Sequence, residues 1–136
     1  MKIENVISWV LRIAATIILW QTLYFKFTAH PESVELFTKL GVEPWGRIGT
    51  GVIELFIGIL LIIPSTAFLG AFLGAGTMSG AILSHLTIIG IASKNDGGLL
   101  FGLAITVFIC CTVIMILHKK QGISLYEKVV QKFVKA

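Results

Sequence analysis

Glu54 stands in the apolar run GRIGTGVIELFIGILLI, residues 46–62. A carboxylate surrounded by hydrocarbon is costly, and where one persists it holds a proton, a ligand head group or an ion pair. Along its helical stripe lie Arg47 two turns back, Thr50 and Gly51 one turn back, and Gly58 one turn on. Small residues at that spacing let another helix approach closely, so the acid points into a bundle and away from lipid. Two readings stay open: an internal pair that fixes helix register, or a site for a proton, a head group or a partner. Lys26 and Arg47 are the candidate counter-charges. Glu54 lies about 10 Å below the start of its segment, and His85 in SGAILSHLTII lies about 10 Å from the end of its own. Lys26, Arg47, Glu54 and His85 therefore form a candidate buried polar cluster or ligand pocket.

Other chemistries find less support. One histidine beside one acid is too few ligands for zinc, which takes three or four, so no metal is expected. A lone His85 suffices as an axial haem ligand, although a hydrogen-bonding packing role is the simpler reading. Cys110 and Cys111 are adjacent, point about 100° apart on a helix and cannot form an ordinary disulfide without breaking it. No C-x-x-C occurs, so both read as small apolar residues. Asp96 sits in a turn with no nucleophile motif, and no glycine-rich phosphate loop follows a strand.

The elements that must position these residues follow from composition. Hydrophobic residues make up 56 % of the 136-residue chain and charged residues 13 %, against about 25 % charged in soluble domains. The apolar residues fall into four blocks, 5–27, 47–63, 66–92 and 98–117, each near the roughly 17–25 residues of a membrane span. The fold class is an all-α, integral membrane bundle of four transmembrane helices forming a single domain over 1–136. A β-barrel would show alternating segments, and none occurs. The first block carries Arg12 and no A-x-A cleavage pattern, so it reads as a retained helix rather than a signal peptide.

Between spans one and two, TAHPESVELFTKLGVEPW predicts a short interfacial helix. Pro31 suits its first position, Glu32 and Glu35 its first turn and Gly41 its stop, with Val34, Phe37 and Leu40 on one face. Pro64 and Ser65 force a tight hairpin, and Asn95-Asp96-Gly97-Gly98 is turn chemistry. After the last span, Ser124 and Glu127 suggest a capping box opening a C-terminal amphipathic helix. Leu125, Val129 and Phe133 share one of its faces and Lys128, Lys132 and Lys135 another, as suits an anionic lipid surface. The basic tail puts both termini in the cytoplasm and the chain in the cell's inner membrane. Arg12 is expected to snorkel to the inner head groups. The +4 formal charge follows topology and is not a nucleic-acid signature. Gly51, Gly58, Gly70 and Gly74 are the expected helix-packing positions, and the glycines and alanines of span three permit a homo-oligomer.

The stretch from Leu11 to Ile62 resembles the DoxX family of small four-helix membrane proteins, in its DoxX-like branch. The resemblance is carried by Lys26, by the F-x-x-L-G-V-x-P-W element from Phe37 to Trp45, by Gly51, Glu54 and Leu55, and by MSGAILSH, residues 78–85. It implies a membrane protein often encoded beside, or assembled with, redox enzymes. One branch resembles a subunit of a thiosulfate:quinone oxidoreductase. Others are linked to oxidative-stress complexes, and distant animal relatives to receptor assembly or cargo export. The cysteine motif of the related four-helix quinone reductases is absent here.

The leading expectation is an accessory, non-catalytic membrane subunit of an oxidoreductase or redox-stress system. Its polar pocket around Glu54 would hold a quinone-like molecule or a lipid, beside a redox-enzyme partner. The alternatives are a scaffold or assembly factor for another membrane protein and, with thinner support, proton-coupled transport through Glu54.

Overall fold

A computed structural model of the chain describes residues 2–93 and 96–136. Six α-helices occur among them: α1 (Ile3–Phe27), α2 (Pro31–Lys39), α3 (Trp45–Ile62), α4 (Ala67–Ser84), α5 (Leu99–Leu117) and α6 (Lys119–Lys135). Four helical segments, Ile3–Phe27, Trp45–Ile62, Pro64–Ile89 and Leu99–Leu117, are long and apolar enough to cross a membrane. The protein is a multi-pass membrane protein built as an all-α four-helix bundle. α1 packs on α3 and α5, and α4 packs on the same two helices, so the spans run round a square in the order α1, α3, α4, α5. The start of α1, the α3–α4 turn and the α5–α6 junction lie at one end. The α1–α3 loop and the α4–α5 turn lie at the other.

Each span buries one stripe. On α1 it is Ser8, Arg12, Ala15, Thr16, Leu19 and Leu23, the i, i+3, i+4 spacing of one helical face. Ile57 and Leu61 of α3, Ala67 and Ala71 of α4, and Val107, Cys111 and Ile114 of α5 complete the centre. The opposite faces expose Ile13, Ile17, Phe56, Phe72 and Ile109, which lipid covers. Because lipid tails are as apolar as these side chains, close packing and hydrogen bonds hold such a bundle together, with little hydrophobic drive. The small residues serve that packing. A Cβ on Gly51 would meet Phe27, one on Gly70 the Leu60–Leu61 backbone at 2.9 Å, and one on Gly74 the Cys111 sulfur at 2.7 Å. Gly58 lies under the Trp20 indole, which any side chain there would strike.

α2 forms as its sequence predicts. Pro31 opens it, the His30 ring accepts a bond from the Glu32 N–H, and only Phe37 is fully buried. Gly41 takes φ +74°, the left-handed conformation that ends helices at low cost. Two boundaries depart from expectation. The third span ends at Ile89, not 92: a π-helical turn, His85–Ile89, follows α4, and Gly90 at φ +90° breaks it. The C-terminal helix starts at Lys119, only His118 separating it from α5. Ser124 is thus in its interior and caps nothing, which corrects the capping-box reading. In the α4–α5 turn, Lys94 and Asn95 lie outside the described residues.

Candidate functional site

Glu54 is 4 % exposed, and its partner is Lys26. The Lys26 ammonium lies 2.9 Å from its Oε2 and also donates to the Thr22 hydroxyl at 2.9 Å. Thr22 has one proton to give and two acceptors in reach, Leu19 O at 2.8 Å and Glu54 Oε2 at 3.2 Å. The cluster is built by register. Leu19, Thr22 and Lys26 follow one another at helical spacing on α1, and Glu54 faces them from α3 across the seam that Gly51 and Gly58 narrow.

Arg47 was the other candidate counter-charge, and it is engaged elsewhere. Its Nε donates to both Glu43 carboxylate oxygens, at 2.8 and 3.1 Å, and its Nη1 donates to the Lys26 carbonyl. That carbonyl is one of the unpaired acceptors at the end of α1. Arg47 thus straps the α1 C-terminus to the loop before α3. It touches the Glu54 cluster only through the Lys26 backbone.

His85 does not join the cluster. It is 5 % exposed, its Nδ1 bonds Gly90 O at 2.9 Å, and its ring packs on Phe101 of α5 at 5.7 Å. Equal depth in the bundle is not equal side. Beyond the π turn, Asp96 caps the start of α5. Its carboxylate accepts from the backbone N–H of Ser93 at 3.0 Å, Gly98 at 2.8 Å and Leu100 at 3.2 Å. Burial raises the Asp96 carboxyl, but these three bonds and the His85 charge outweigh it, and its pKa falls below the usual carboxylate value.

A second polar cluster at the opposite end is one that sequence reasoning missed. Arg12, expected to snorkel outward, is 2 % exposed. Its Nε donates to Leu61 O and its Nη2 to Ile62 O at 2.7 Å, so it caps the C-terminus of α3. The negative end of that helix dipole supplies its counter-charge, and the Trp9 ring lies 3.9 Å below the guanidinium. The signal was available: Pro64 ends α3 beside the level of Arg12, leaving carbonyls without donors. Nearby, Ser8 Oγ and His118 Nε2 are 2.7 Å apart. Burial, then the Arg12 charge, pushes His118 below the ordinary imidazole value.

Chemically these arrangements hold helices in register. Every buried side-chain nitrogen and oxygen among the described residues has a hydrogen-bond partner. No cluster of three His, Cys, Asp or Glu suited to a metal occurs among them. Cys110 and Cys111 are free and buried. A groove of about 680 Å³ is apolar and lies on the α3–α4 face, lined by Ile53, Phe56, Phe72, Leu73, Gly76 and Thr77 among others. Neither the curated proteins nor the solved structures yield a match. The model of the DoxX-like family covers residues 10–116, which holds the cores of all four spans, the Glu54 cluster and Arg12, and the chain belongs to that family.

Proposed function

We propose that this protein is a non-catalytic, accessory membrane subunit of an oxidoreductase or redox-stress system, seated in the inner membrane with both termini in the cytoplasm. The observation that carries the non-catalytic part is the closed state of the Glu54 cluster. Lys26, Thr22 and Glu54 satisfy one another directly, and catalysis needs a group aimed at space that a substrate can enter. A quinone-like head group between Lys26, Glu54 and His85 would have to break a 2.9 Å ion pair and would find His85 turned to Gly90. The redox association rests on what membership of the family implies. The orientation rests on the basic α6 and the positive-inside rule.

The test is gentle extraction of the protein from its own membrane, followed by native mass spectrometry and assays of membrane quinone reduction with and without the gene. A co-purified redox enzyme whose activity falls on deletion is the expected result. A chain that emerges alone, with unchanged quinone reduction, would sink the accessory reading. The scaffold reading is favoured by one observation, the apolar α3–α4 groove flanked by exposed Phe56 and Phe72. Capture of a non-redox membrane protein that is lost when Phe56 and Phe72 become alanine would establish it instead.

A further inference from the structure

α6 buries none of its residues, yet its first turn is fixed to the bundle. The Gln121 side-chain Oε1 accepts from the Phe68 N–H at 3.1 Å, and its Nε2 donates to Pro64 O at 2.8 Å. Gly122 lies so close to the Phe68 ring that an added Cβ would meet it at 2.5 Å. These contacts leave a groove of about 400 Å³ between α6 and the α3–α4 turn. Its lining includes the apolar Phe68 and Leu69 of α4 and Leu125 of α6, together with Lys120, Ser124 and Lys128 of α6.

Lys120, Ser124 and Lys128 recur every fourth residue, so they line one face of α6. The two lysines are about 12 Å apart along the axis with Ser124 midway, and each stem is long enough to bring its ammonium to that midpoint. Neither lysine makes an ion pair among the described residues. Glu127, the acid of α6, does not line the groove. Two lysines without ion pairs and a hydroxyl thus line a groove that also holds apolar side chains, at the terminal end of the bundle. That pairing of characters is complementary to one molecule class, with a charged phosphate at one end and an acyl chain at the other.

We propose that the groove between α6 and the α3–α4 turn is a binding site for an anionic phospholipid. Lys120, Ser124 and Lys128 take its phosphate, and Phe68, Leu69 and Leu125 take the upper part of an acyl chain. A bulk attraction of basic residues to an acidic surface would use Lys132 and Lys135 equally. The groove singles out Lys120 and Lys128.

The experiment places the full chain in nanodiscs of equal parts phosphatidylglycerol and phosphatidylcholine and reads retained lipid by native mass spectrometry after release. Phosphatidylglycerol is expected to be retained in preference. Lys120→Gln with Lys128→Gln should weaken that retention about 30-fold, at the usual worth of two lysines near an acidic surface, while Lys132→Gln with Lys135→Gln leaves it in place. Equal loss in both double variants would show diffuse charge attraction and overturn the site. Equal retention of the two lipids would overturn it too. Excess inorganic phosphate that displaces the lipid, or binds in its place, would mark a soluble-anion site and refute the lipid assignment. So would a co-purifying protein shed by Lys120→Gln with Lys128→Gln.

Discussion

The two ends of the bundle settle their charges in opposite ways. At the loop end, cations meet acids: Lys26 meets Glu54, and Arg47 meets Glu43. At the terminal end, Arg12 is held by two carbonyls and an indole face, with no acid, and the lysines of α6 extend the excess positive charge outward. A pair of opposite charges is self-contained and locks one geometry. A cation held by a helix dipole is stabilised yet keeps its full charge. The buried cations of the loop end are thus paired with acids, whereas Arg12 and the lysines of α6 leave positive charge at the terminal end.

Substitutions at both ends probe that contrast, the largest expected effect first. Glu54→Ala strands the Lys26 ammonium in a buried site, at a cost of about 3–5 kcal/mol. The melting temperature in detergent should drop by about 10 °C. Lys26→Met combined with Glu54→Leu should recover most of that loss, because replacing both partners removes the uncompensated charge. An unchanged Glu54→Ala melting curve would break the claim that the loop end is locked by its pair. Arg12→Met leaves the Leu61 and Ile62 carbonyls without their donor, at about 1–3 kcal/mol, and Arg12→Lys should restore only part, since one ammonium cannot replace the fork. Chemical denaturation in mixed micelles reads both. Gly58→Ala, which sits between the two ends, drives a methyl into Trp20 at about 1–3 kcal/mol. Trp20→Leu in the same chain should relieve it.

The smallest effect is the pH dependence that His118 gives the terminal end. His118 lies below its ordinary value of 6.5, so the unfolded chain takes up a proton more readily than the folded one. Its contribution to stability is full above that ordinary value and is lost as pH falls through the lowered one. Melting at about pH 5.5 should therefore be lower than at about pH 7.5, and His118→Gln should shrink the difference. A slope that His118→Gln leaves intact would assign it to other groups.

The spans were legible in the sequence because composition and length dictate them. The helical stripes of α1 and α3 likewise put Lys26 and Glu54 within reach of one another, and left Arg47 open as a rival. What the stripes cannot carry is which neighbour lies across the seam. Depth matches His85 to Glu54, but a π turn and the α5 packing place it against Phe101. Arg12 was read from its own helix, whereas its fate is decided by α3 ending beside it. Ser124 had the spacing of a capping box, yet a junction of one residue at His118 had already started the helix. For Arg12 and His85 a local pattern is outweighed by a contact with another helix, and for Ser124 by a helix that has already begun.

The unequal lengths of the spans have a consequence for the surrounding bilayer. At 1.5 Å per residue, α3 is about 27 Å long and α1 about 37 Å. The short helix matches a thin hydrocarbon layer, and the long one overshoots it unless it leans. Since Arg47 holds the Lys26 carbonyl at the start of α3 and Arg12 caps its end, α1 cannot lean independently. A thicker bilayer would be drawn in around α3 while α1 still spanned it, a one-sided dimple that favours thin membranes for this protein and gives neighbouring proteins with short spans a reason to gather beside it.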